Sequence, residues 1–93
     1  MGQKVTWSKA AAAFFADSFK WRLDNTSDKG AIKFADEVDK AVARLATYPT
    51  SGKPAQSDPA LKQANVGYNL YVVYEIMLSG IHIHTMRSHR QGS

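Results

Sequence analysis

Apolar and polar positions alternate from Gln3 to Ser8, with Val5 and Trp7 on one face. A period of two predicts a short, half-buried strand. The pattern then changes. Ser8 is a good helix N-cap, and Ala10, Ala11, Ala12 and Ala13 begin a stretch of high helix propensity that runs to about Asp24. Phe15 and Phe19 lie four apart on one side, while Phe14 and Trp21 are offset, so this helix carries aromatic surface on more than one flank. Asn25, Thr26 and Ser27 form a turn-and-cap cluster, and a second helix is expected from about Asp28 to Thr47. Its apolar residues Ala35, Val38, Val42 and Leu45 follow the three-four spacing of an amphipathic helix. Lys33 with Glu37 and Asp36 with Lys40 are opposite charges four apart, each pair worth roughly 0.2–0.5 kcal/mol if it closes.

All three prolines fall between Tyr48 and Pro59, which reads as an irregular connection. Three strand-like runs follow, at about Leu61–Val66, Asn69–Leu78 and Ile81–Arg87. In the middle run Leu70, Val72, Tyr74, Ile76 and Leu78 face one way, and Tyr71, Val73, Glu75 and Met77 the other. Ser79-Gly80 offers a two-residue turn for a tight hairpin. In the last run Ile81 and Ile83 continue the buried face, with His82 and His84 opposite. The order is strand, helix, helix, three strands, with no recurring strand-helix-strand crossover. The expected fold is α+β: a two-helix hairpin on one face of a small, mostly antiparallel sheet, β-α-α-β-β-β.

The chain has 93 residues, the size of one domain covering 1–93, and 44% apolar residues suffice for one core. With no cysteine, disulfides and thiolate metal sites are excluded. No apolar run approaches the roughly 18–20 residues of a membrane span, and no secretory signal pattern opens the chain, so the cytoplasm is the expected compartment. The net charge is +4, with +2 in residues 1–24, zero in 25–51 and +2 in 52–93. A mild basic excess suits nucleic acid, ribosomes or an acidic protein partner.

Several segments, in this order, resemble the RelE/ParE superfamily of type II toxin–antitoxin toxins. They are the strand through Val5, Thr6, Trp7 and Ser8 with its Ala-rich helix, and the helix ending Ala43 to Pro49 with Gly52 after it. The tyrosine-rich strand Tyr68 to Ile76 and the ending Ile81 to Gln91 complete the match. The resemblance implies a cognate antitoxin partner and a toxin–antitoxin hetero-oligomer. It also implies one of two targets: DNA gyrase for ParE-like members, or messenger RNA on the ribosome for RelE-like endoribonucleases. The nuclease branch places an arginine in the stretch matched by Tyr68–Tyr74, where this chain offers Asn69 and Tyr71. No tyrosine follows Arg90, and Ser88 stands where many relatives carry a histidine two residues before an arginine. These departures favour the ParE-like, gyrase-directed branch, plasmid stabilisation proteins included. The further alternative is an inactive relative or a small interaction module, because fold does not fix function.

Candidate chemistry concentrates near the C-terminus. RNA cleavage through a 2′-hydroxyl needs a base, an acid and cations for the phosphate. His89, Arg87 and Arg90 are the residues that could supply them, against the simpler reading of a solvated chain end. Lys62, Tyr71, Arg87 and Arg90 are the candidates for contact with a target or nucleic acid. Tyr74 falls on the apolar face and is expected in the core, leaving Tyr71 as the open aromatic. His82 and His84 share a strand face, a spacing that supplies two metal ligands, but zinc prefers at least three protein ligands and the nearest third is Glu75 across the hairpin. Neither a metal nor a cofactor is expected.

Overall fold

In a computed structural model of the protein, residues 4–89 are described. The first strand, β1 (Lys4–Trp7), turns Val5 and Trp7 inward, as its alternation predicts. Ser8 then joins sheet to helix. Its hydroxyl accepts from the Ala11 N–H at 3.0 Å and donates to the His84 carbonyl at 2.6 Å, while its own N–H donates to the Ile83 carbonyl. Helix α1 (Lys9–Asn25) follows, and helix α2 (Asp28–Thr47) starts at Ser27, whose hydroxyl accepts from the Gly30 N–H. On α2 the buried residues are Ala31, Phe34, Val38, Val42, Leu45 and Ala46. The inward stripe thus begins a turn earlier than expected, and Ala35 is only half-buried. The expected Lys33–Glu37 and Asp36–Lys40 pairs do not close; the one contact at ion-pair distance among the described residues joins His84 to Glu75, ionic only when the imidazole is protonated. Long exposed side chains in water gain too little from such contacts to hold one geometry.

A short 3₁₀ turn, Pro49–Ser51, leads to a two-residue strand β2 (Lys53–Pro54) inside the segment read as irregular. Strands β3 (Lys62–Gly67), β4 (Leu70–Ile76) and β5 (Gly80–Ser88) complete a five-stranded sheet of order β1-β5-β4-β3-β2. All neighbours are antiparallel except β1 and β5, which run parallel with Lys4 opposite Gly80. The two helices pack on one face. Phe34, Val38, Val42 and Leu45 meet Val66, Leu70, Val72, Tyr74, Ile81, Ile83 and Met86 in one core, each side chain contributing about 1.5–3 kcal/mol of burial. A line of rings crosses it: Trp7 to Phe15 at 5.7 Å, Phe15 to Phe34 at 5.6 Å, and Phe34 edge-on to Tyr68 at 5.1 Å between centroids.

Three local features depart from simple alternation. The β4–β5 turn is centred on Leu78-Ser79, because the Met77 N–H donates to the Gly80 carbonyl, so Ser79-Gly80 is not the turn pair. Gly80 serves the strand instead. A Cβ there would collide with the Lys4 backbone, so only glycine permits the approach of β1. Beyond the helices, Ile76 and Leu78 are exposed and not core, the latter fully. The β3–β4 connection is a two-residue turn through Tyr68 (φ 56°) and Asn69 (φ 60°), both left-handed, where the strand was expected to begin at Asn69. That conformation costs a tyrosine roughly 1–2 kcal/mol. The Tyr68 ring offsets the cost by packing on Phe34 and lying 5.1 Å from the Arg22 guanidinium, which sits 3.9 Å over the Phe34 ring.

The third feature is a β-bulge in β5. Val73 pairs with Thr85 but Tyr74 pairs with Ile83, leaving His84 as the extra residue. The core therefore takes Ile81, Ile83 and then Met86, and the side-chain parity reverses after His84.

Candidate functional site on the open sheet face

The bulge decides what the helix-free face displays. Strict alternation from Ile81 and Ile83 would send Arg87 and His89 towards the helices. With one residue inserted, Met86 goes in and Thr85 and Arg87 turn out. Two cross-strand rows result. One runs Asn65, Tyr71, Arg87 across β3, β4 and β5; the other runs Lys53, Gln63, Val73, Thr85 from β2 to β5. Between them lies a shallow depression of about 970 Å³. Lys53, Arg87 and His89 line it, and no carboxylate does.

Tyr71 and His89 are in ring contact, 4.8 Å between centroids. The His89 Nε2–H donates to the Asn65 Oδ1 at 2.6 Å, and the His89 backbone N–H donates to the Asn69 carbonyl. His89 is thus held by β3 and by the β3–β4 turn, although it follows the last strand residue. Tyr71 is half-buried, while Arg87 and Lys53 are exposed.

Of the candidates named from sequence, the fold brings Tyr71, Arg87 and His89 together. Arg90 lies outside the described residues. Lys62 is not among them: it pairs with Tyr74 and so shares the helix-side face of the sheet. Lys53 was missed. It lies in the proline-containing segment, and its position follows only from the pairing of β2 with Gln63. Tyr74 is in the core as expected, fully buried, donating its hydroxyl to the Pro49 carbonyl at 2.6 Å and accepting from the Gly52 N–H at 3.2 Å. Burial raises its pKa above the ordinary value of 10.0, against the smaller lowering effect of the Gly52 hydrogen bond.

Further along the same face, the His84 Nε2 meets the Glu75 Oε1 at 2.9 Å and the His82 Nδ1 meets the Thr6 Oγ1 at 2.7 Å. The His82 and His84 rings stand edge to face at 4.8 Å. Each imidazole has a protein partner on one nitrogen. Among the described residues no group of three or more histidines, cysteines and acids is arranged to hold a metal ion.

The family model for "ParE toxin of type II toxin-antitoxin system, parDE" matches residues 5–91. The chain belongs to the ParE toxin family. Among solved structures, this ParE-family chain is similar to one described as the chromosomal ParDE TA system from P. aeruginosa. The TM-score is 0.77 with 15% identity, covering 92% of this chain and 95% of the other. At that identity the likeness speaks for the shared fold of two helices on a five-stranded mixed sheet. Among curated proteins, none matches this sequence. The ParE-family match spans β1 through β5, so every residue of the open-face cluster lies within it. No described helix is long and apolar enough to cross a membrane.

Proposed function

We propose that this toxin arrests growth by binding DNA gyrase, acting through its surface and not through bond-breaking chemistry of its own. A cognate antitoxin neutralises it in the cytoplasm, and residues 1–93 act as one domain. The ParE family match over residues 5–91 carries this reading. A sequence departure supports it: Tyr68–Tyr74 contains no arginine. The ribonuclease alternative would draw on His89, Arg87 and Arg90. RNA cleavage asks for a base and an acid that each reach the reacting oxygens, whereas the His89 Nε2 is engaged by the Asn65 amide and its ring lies against Tyr71.

The antitoxin supplies an acidic segment that folds as it binds, complementing a basic toxin and forming a hetero-oligomer. Neutralisation follows if that segment covers the gyrase-binding surface.

The test is a pulse-labelling time course after inducing the gene in a bacterium without the antitoxin, paired with a supercoiling assay. DNA synthesis is expected to fall before protein synthesis, and purified protein to inhibit gyrase supercoiling. An early fall in protein synthesis, with supercoiling unaffected across a wide concentration range, would overturn the gyrase reading in favour of the ribonuclease.

A further inference from the structure

The open sheet face combines separated cations, a half-buried aromatic ring and uncharged hydrogen-bonding side chains. Its depression is lined by Lys53, Arg87 and His89 with no carboxylate, on a chain that carries eight acids. The cations stand apart, Lys53 on β2 at one side and Arg87 on β5 at the other, three strand spacings or roughly 14 Å across the sheet. Between them lie a half-buried aromatic, Tyr71, and uncharged hydrogen-bonding groups: Gln63, Thr85 and, beside Tyr71, Asn65.

Separated cations flanking a flat ring and amide edges match one ligand chemistry closely. Phosphates at intervals need the cations, bases stack on an aromatic platform, and amides meet base edges. An acidic peptide would use the charges but has no use for the ring. A regular duplex would fit poorly, because its bases are already stacked on each other and Tyr71 sits in the floor of a concave surface. The Tyr71 ring is also braced by His89, which is held in turn by Asn65, so the platform is formed before any ligand arrives.

We propose that this face binds single-stranded nucleic acid, with Arg87 and Lys53 on phosphates and the Tyr71–His89 pair against a base. This binding is a property of the chain itself and does not depend on which cellular target the toxin attacks.

The experiment is a fluorescence-anisotropy titration of the full chain with a labelled single-stranded oligonucleotide, as DNA and as RNA of one sequence, over a range of salt concentrations. Binding is expected to weaken linearly on a log-log salt plot. Arg87→Gln should weaken it several-fold and make the slope shallower by about 0.7, the release expected for one contact to a single strand. Tyr71→Leu should weaken it roughly tenfold with the slope unchanged, since stacking releases no ions. Lys33→Gln, on exposed α2 across the molecule from this face, removes the same charge and should change little. Amide NMR shifts on adding oligonucleotide should map to β3–β5, and the same spectra report whether each variant folds.

Three results would overturn the proposal. One is no binding to either oligonucleotide at low salt. The second is an equal effect of Lys33→Gln and Arg87→Gln, which would reduce the interaction to net charge. The third is displacement of the oligonucleotide by poly-glutamate at matched charge, which would make the face an acidic-peptide site. Failure here leaves the pulse-labelling result untouched, so the two ideas fail separately.

Discussion

Replacing Tyr74 with phenylalanine removes one oxygen atom from the core and tests how the 49–52 segment is held. The ring is fully buried and would keep its packing, so the change isolates two hydrogen bonds, to the Pro49 carbonyl and from the Gly52 N–H. A net hydrogen bond is worth about 0.5–1.5 kcal/mol, and a buried group left without a partner costs about 1–3 kcal/mol. Pro49 and Gly52 are themselves half-buried, so water reaches part of what is lost. The expected loss is therefore about 2 kcal/mol, equivalent to roughly 10 °C in Tm for a chain of this size. Urea unfolding followed by circular dichroism at pH 7 measures it directly. The pH dependence supplies a second check. Burial raises the Tyr74 pKa in the folded state, so the folded form resists ionisation that the unfolded form accepts. That contribution is fully present below pH about 10 and is lost as pH rises through the folded value. Phenylalanine has no such titration, so the gap between the two proteins should narrow above pH 10. An unchanged urea midpoint at pH 7, or a gap that widens in alkali, would refute the reasoning.

Two other experiments test the departures from simple alternation. Gly80→Ala places a methyl against the Lys4 backbone and should cost about 1–3 kcal/mol, the usual penalty of overpacking. Hydrogen exchange at Lys4 and Thr6 should accelerate more than exchange in β4, and uniform protection across the sheet would show that β1 is not held by this approach. A double-mutant cycle of Arg22→Met with Tyr68→Asn should give a coupling of about 0.5–1 kcal/mol, from the guanidinium packed near the Tyr68 ring. Additivity within about 0.3 kcal/mol would mean that Phe34 alone holds the strained turn.

The parts of this fold that were legible in the sequence are those governed by local pattern. Ser8 and Ser27 announce both helices because a hydroxyl before a helical run satisfies N–H groups that have no partner in the helix. The α2 stripe was readable for the same reason, although Phe34 and Ala31 extend it. What escaped depends on contacts distant in sequence. Nothing local in Lys53-Pro54 identifies a strand; it becomes one only by pairing with Lys62 and Gln63. Gly80 looks like a turn residue until β1 arrives beside it from 76 positions earlier. Tyr68-Asn69 is an unusual pair for a left-handed turn, and only the Phe34 and Arg22 packing makes it tolerable.

The candidate site shows the same division at the scale of one residue. Tyr71, Arg87 and His89 were each visible as residues able to bind, yet the sequence assigns Arg87 no face. Counting by twos from Ile83 puts Arg87 in the core, which a guanidinium avoids; counting back from Arg87 puts Met86 inside, which its side chain favours. Both ends of β5 are apolar on the helix side only if one residue is skipped, so the conflict itself locates a bulge between Ile83 and Met86. His84 is the residue that bears the cost most easily. Its ring stays on the open face with Glu75 as partner, and its carbonyl accepts from Ser8, so the bulged peptide keeps a hydrogen bond. The N-cap of α1 thus secures the irregularity that turns Arg87 outward. Helix start, bulge and basic face are linked through a single hydroxyl: the pattern of β5 asks for a skipped residue between Ile83 and Met86, and the contact with Ser8 holds it at His84.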